Sequence, residues 1–159
     1  MIFVTLGTTK YPFLRPLKEM EGVVKKGEIS ESVIVQAGYS DFRCDFMTVK
    51  DFFSPDELNS HYSEANLIMT HGGTGSIMKG LELNKKVLVL PRLKKYGEHI
   101  DDHQLEVASE LEKDGHLLVW HDGEDLLEKI QETRNFEPIP YKSKNEEIID
   151  YLVGKIDGW

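Results

Sequence analysis

The strongest constraint on the fold is the alternation of short apolar runs with longer stretches of helical periodicity. The runs are Ile2–Leu6, Ser32–Ala37, Phe46–Val49, Leu67–Thr70, Lys86–Leu90 and His116–Val119. Helical patterns fall at Phe13–Gly22, Pro55–Glu64, Thr74–Leu83, His99–Asp114 and Glu124–Thr133. Strands that feed helices in turn are the pattern of βαβ units. The fold expected is α/β: a Rossmann-like, doubly wound, mainly parallel sheet with helices on both faces. The link between Ser32–Ala37 and Phe46–Val49 is short, so an irregular or hairpin-like passage is possible there. With 159 residues the chain suits one domain.

Helix boundaries carry their own chemistry. In "SPDEL", Ser54 stands as an N-cap, Pro55 at the first helical position, and Asp56 and Glu57 where exposed amides favour negative charge. From His99 onward, Ile100, Leu105, Val107, Ala108 and Leu111 read as a buried stripe, and Gly115 as the stop. Ile148, Ile149, Leu152, Val153 and Ile156 predict a last helix over 145–157.

Composition narrows the function classes. Nineteen basic residues against 28 acidic ones leave a net charge of −9, which argues against a dedicated nucleic-acid binder. An anionic ligand must then be held by local donors. The single cysteine, Cys44, fits a reducing, cytoplasmic setting. No apolar run approaches the roughly 20 residues of a membrane-spanning helix, and "MIFVTLG" lacks a signal peptide's basic region.

The stretch "LIMTHGGTGSIMKGLEL" places three glycines between a strand and a helix. Open parallel sheets bind ligands beyond the C-terminal ends of their strands. There Gly72, Gly73 and Gly75 would let backbone approach a phosphate, with Thr74 and Ser76 as hydroxyl donors and His71 beside them. The same glycines also suit a tight turn that serves packing alone. The Walker and dinucleotide patterns both fail, because Ser76-Ile77 stands where Lys and Ser/Thr are needed and Met78 where the third glycine belongs.

The next strand is followed by "LPRLKKYGEHIDDHQLEVASEL", which sets Pro91, Arg92, Glu98, His99, Asp101, Asp102, His103 and Gln104 at a second strand end. His99 and His103 are four apart, the spacing of a metal-binding pair on a helix. However, Ile100 replaces the glutamate of the zinc-protease form and no third ligand is evident, so no metal is expected.

Together, "HGGTGSIMKGLELNKKVLVLP" and "HIDDHQLEVASELEKDGH" resemble the glycosyltransferase family 28 C-terminal domain, in its small stand-alone subunit form. "IFVTLGTTKYPF" and "VKDFFSPDEL" extend the similarity from Met1 to about Val119, and the remainder matches loosely. The resemblance implies one half of an inverting GT-B glycosyltransferase with a UDP-sugar donor and no cofactor. Gly72–Ser76 would receive the diphosphate; Phe52 and Phe53 would flank uracil; Gly7 and Thr8 would line the cleft; Asp102, His103 and Gln104 would face the sugar or diphosphate. Arg92 is a candidate cation for the leaving group, and His71 or His103 a candidate proton or hydrogen-bond donor. Where the family commonly carries a carboxylate for the ribose hydroxyls, this chain has Lys79, which can only donate.

Since the resembled architecture needs two domains and this chain has length for one, the resemblance implies a partner. The resemblance points to a membrane-associated, acceptor-binding glycosyltransferase subunit that brings a lipid-linked saccharide acceptor, in capsular or exopolysaccharide assembly. The protein would then sit at the inner face of the membrane through that partner. The rival reading is a non-catalytic partner that stabilises or enhances a transferase, and Lys79 is the residue that favours it.

Overall fold

A computed structural model describes residues 1–142, and the expected helix over 145–157 lies outside that range. The described elements run β1 (Ile2–Thr5), α1 (Arg15–Lys25), β2 (Val33–Gln36), β3 (Thr48–Lys50), α2 (Pro55–Glu64), β4 (Leu67–His71), α3 (Thr74–Glu82), β5 (Lys86–Leu90), α4 (His103–Lys113), β6 (Leu118–Val119) and α5 (Leu126–Asn135). The six strands form one sheet in the order β3-β2-β1-β4-β5-β6, and every pairing is parallel. The strand order reverses between β1 and β4, where an open α/β sheet forms its ligand crevice.

The side-chain alternation of each strand explains why the sheet is covered twice. Ile2, Val4, Val33, Val35, Met69 and Leu88 point to the face packed by Leu17 and Met20 of α1 and Leu126 and Ile130 of α5. Phe3, Ile68, Val87 and Val89 point to the other, against Tyr62 of α2, Ile77 and Leu81 of α3, and Ala108 and Leu111 of α4. Strands apolar on both faces must be covered on both. Gly80 lets α3 settle on the sheet, since a Cβ there would stand 2.9 Å from Val87 Cγ2.

Local signals are realised where side chains supply them. The Ser54 hydroxyl accepts from Glu57 N at 3.2 Å and the Glu57 carboxylate accepts from Ser54 N at 2.7 Å, a complete capping box. Gly115 ends α4 with φ +82°.

Of the two alternatives for the passage between β2 and β3, the structure has the irregular one: the strands are parallel, and a loop carries the chain back, held by Gly38 N donating to Asp51 O at 2.8 Å. One expectation is corrected. The helix expected from His99 starts four residues later. Residues 94–96 form a 3₁₀ turn closed by Gly97 at φ +69°, and the Asp101 carboxylate accepts from His103 N at 3.0 Å. Ile100 is therefore 65% exposed and is not part of the buried stripe.

Candidate functional site

A pocket of about 390 Å³ opens beyond the strand ends at the β1/β4 reversal. Thr5, Gly7 and Thr8 come from β1 and its loop, and Gln36 from the end of β2. His71, at the end of β4, and Gly73 in the turn after it form the floor, while Leu58 and Tyr62 of α2 face Gly75, Ser76 and Lys79 of α3. Ser76 and Lys79 are three apart and Gly75 and Lys79 four, so these residues form one stripe of α3. The stripe begins at the helix N-terminus, whose free amides favour an anion.

His71 organises the floor. Its Nδ1 accepts from Gly73 N at 3.1 Å, so Nε2 carries the proton, and Nε2 lies 3.4 Å from Ser76 Oγ. Burial, reinforced by the charges of Arg92 and His99, holds the imidazole down at about 4. The ring is therefore neutral near pH 7 and can donate a hydrogen bond through Nε2.

The glycines divide by what their missing side chains leave room for. A Cβ on Gly7 would lie 2.5 Å from His71 Nε2, and one on Gly73 only 2.1 Å from His71 Cε1. Gly72 is bare because a Cβ would meet Gln104 Cβ at 2.4 Å. These three serve the packing of His71 and Gln104. Gly75 alone in the turn has nothing within 4 Å of its added Cβ, and it faces open space in the pocket.

The segment after β5 is built differently. Arg92 is 1% exposed; its Nη1 donates to the carbonyls of Tyr11 and Glu98 at 2.6 and 3.2 Å, and its Nη2 to Leu6 O at 2.7 Å. Its guanidinium lies 4.8 Å from the Phe13 ring centroid. Burial draws its pKa down to about 10, against the raising effect of Glu98, so it stays charged. Gln104 Oε1 accepts from both Gly72 N and Arg92 N at 3.1 Å, tying the two strand-end loops together. Arg92 and Gln104 thus hold backbone in place, and neither lines the pocket.

Other expected site residues also lie outside the pocket lining. His103 is 70% exposed beside Glu106, and Asp102 accepts from Lys94 N at 2.9 Å. His99 precedes α4, so it shares no helix face with His103; it contacts Asp101 at 3.1 Å. The two phenylalanines separate: Phe53 packs on Phe3 and His61, whereas Phe52 stays 40% exposed with its ring edge against Tyr39. Thr74 is exposed at the first position of α3. Thr5, Gln36, Leu58 and Tyr62 were not anticipated. Polar residues ending β1 and β2, and the four-residue spacing of Leu58 and Tyr62 on α2, are the signals that point to them. The pocket itself carries no carboxylate among its lining residues.

Six parallel strands in this order, with a pocket at the reversal, define a Rossmann-like α/β domain. The model of the glycosyltransferase family 28 C-terminal domain matches residues 1–151, and the chain belongs to that family. The match runs well past Val119, where sequence resemblance alone had become loose. A Yarrowia lipolytica protein named UDP-N-acetylglucosamine transferase subunit ALG13 is 35% identical over 80 residues, covering 50% of this chain and 39% of the relative. The Homo sapiens protein of that name is 30% identical over 124 residues, covering 74% of this chain and 11% of the relative. The chain thus spans well under two thirds of these relatives.

Solved structures agree in fold. An NMR solution structure of ALG13 aligns with TM-score 0.61 at 19% identity, covering 91% of each chain. The glycosyltransferase SnogD from Streptomyces nogalater aligns with TM-score 0.51 at 16% identity, over 84% of this chain and 38% of the neighbour.

Proposed function

We propose that this protein is the donor-binding subunit of a two-component inverting glycosyltransferase, taking a UDP-sugar into the pocket at the β1/β4 reversal. The observation that carries the reading is the convergence of the α3 N-terminus, Ser76, the Nε2 of His71 and Lys79 on one cavity without a carboxylate. Departure of a nucleoside diphosphate from a sugar builds negative charge on phosphate oxygens. Donors fixed in advance around that charge stabilise it more as it grows. Gly75 leaves space for close approach, the first-turn amides and Ser76 donate, and His71 adds a hydrogen bond without giving up its proton. Thr74, exposed at the start of α3 and outside the pocket lining, is given no part in this reading. Arg92 and Gln104 act one step back by fixing the loops at Leu6 and Gly72.

The acceptor and the base that deprotonates it come from a membrane-associated partner subunit, with a lipid-linked saccharide as acceptor. That partner would hold this chain at the membrane, since among the described residues no helix is long and apolar enough to cross one. The UDP-linked donor is supported by the names of the relatives. The capsular or exopolysaccharide setting rests on the sequence resemblance.

The test is calorimetric titration of the full chain, alone and with its partner, with UDP and a panel of UDP-sugars. Binding that is lost in Gly75→Val, with the thermal midpoint unchanged, is the expected result. No binding with the partner present rules the donor site out.

A further inference from the structure

The pocket's charge is carried by one side chain. Of the residues that line it, Lys79 is the sole permanent cation, His71 being neutral and no aspartate or glutamate being present. In a chain of net charge −9, a cavity that excludes every carboxylate and keeps one lysine is set apart electrostatically. Lys79 is also held at the mouth between two groups of α2. Its Nζ donates to Asn59 Oδ1 and stands 4.9 Å from the centroid of the Tyr62 ring. Tyr62 is fixed in turn by its hydroxyl, which donates to Ser76 O at 3.3 Å. Asn59 is neutral and exposed, so an anionic oxygen in the pocket is a better acceptor for the ammonium than the amide it now contacts.

We propose that Lys79 is the specificity-determining residue of this pocket: it turns from Asn59 onto a phosphate oxygen, and the site selects its ligand by phosphate charge and not by the ribose hydroxyls. A ribose diol presents two O–H donors and is best read by a carboxylate acceptor. The lining offers none. The amide oxygen of Gln36 is already engaged by Phe53 N at 2.9 Å. What remains around Lys79 is donor-rich, matching a diphosphate. The inference rests on the donor-site reading for the identity of the nucleotide, but not for the role of the lysine.

The experiment titrates the full chain with UDP, 2′-deoxy-UDP, uridine and inorganic pyrophosphate, in wild type, Lys79→Arg, Lys79→Gln and Lys79→Glu, at two salt concentrations. A charge-assisted hydrogen bond predicts a roughly ten- to hundredfold loss of UDP affinity in Lys79→Gln, a larger loss in Lys79→Glu, and near-complete retention in Lys79→Arg. The salt dependence of UDP binding should flatten in Lys79→Gln. Removal of the 2′-hydroxyl should change affinity by less than about threefold. Lys79 is partly exposed, so unchanged thermal midpoints check that the variants fold. If UDP binds but is indifferent to Lys79, or binds tighter in Lys79→Glu, or depends strongly on the 2′-hydroxyl, the inference is overturned while the donor site stands. If pyrophosphate binds as well as UDP and depends on Lys79, the lysine's role stands and the uridine-nucleotide reading fails. No binding by either anion overturns both.

Discussion

The turn after β4 and the loop after β5 look alike in sequence and do opposite things. Each follows a central strand, each opens a helix, and each gathers histidine, polar and cationic residues. The β4 turn leaves donors facing space: Ser76, the His71 Nε2 and the α3 amides meet at the cavity. The β5 loop spends its buried polar groups, Arg92 and Glu98, internally. Arg92 satisfies three carbonyls, while Glu98 takes Arg15 in a two-point ion pair with both N–O distances 3.0 Å and also accepts from Leu93 N. A polar residue at a strand end is thus a ligand group only when its hydrogen-bonding capacity is left over. The second loop is what makes the first one rigid, through the two bonds that Gln104 accepts.

The largest effect that could break this comparison is at Arg92. Arg92→Leu would leave the carbonyls of Leu6, Tyr11 and Glu98 without that donor, and loss of one member of a buried charged network costs about 3–5 kcal/mol. Urea unfolding should show that loss at pH 7. An unchanged unfolding midpoint combined with lost nucleotide affinity would return Arg92 to the ligand.

The glycines sharpen the contrast at somewhat smaller magnitude. Gly73→Val forces a side chain into the His71 ring, a steric insertion expected to cost roughly 1–3 kcal/mol. Gly75→Val sets its Cβ in open space and should leave stability within about 0.5 kcal/mol while blocking nucleotide binding. Equal destabilisation by both would mean that the cavity beside Gly75 is not the open side of the turn.

Much of this architecture was legible in the chain. Strand apolarity, the Ser54 capping box and the glycine cluster are local patterns, and they point to a mainly parallel sheet with a polar turn after β4, while the all-parallel pairing, β2 with β3 included, is seen only in the structure. What escaped was decided by contacts far apart in sequence. Arg92 reads as a surface or catalytic cation until Leu6 and Tyr11, 86 and 81 residues away, supply its acceptors. The glycines read as space for phosphate, yet Gly7 and Gly73 make room for a histidine and Gly72 for a glutamine. The late start of α4 hinges on the Gly97 turn and Asp101, which break a pattern that apolar spacing alone would continue. Phe52 and Phe53 are neighbours with opposite fates, since only Phe53 meets partners from β1 and α2, Phe3 and His61.

The smallest expected effect concerns His71 and separates a hydrogen-bond donor from a proton donor. Its folded pKa of about 4 lies below the ordinary imidazole value of 6.5. As pH falls from 6.5 toward 4, the unfolded chain takes up a proton that the folded chain refuses, so stability declines across that window and His71 contributes no pH dependence above it. With solvent screening at a partly exposed ring, the loss is on the order of 1–2 kcal/mol. Unfolding free energies from urea titration at pH 7 and pH 4.5 should differ more in wild type than in His71→Asn by about that amount. Nucleotide affinity carries the complementary signature. A ring neutral from pH 5 to 8 adds no step near 6.5, so wild type and His71→Asn should share the same affinity-versus-pH shape, set by the phosphate's own ionisation near pH 6. A step near 6.5 that vanishes in His71→Asn would show an imidazole titrating in reach of the ligand. In that case the β4 turn gives a proton to the leaving phosphate and does more than present donors to it.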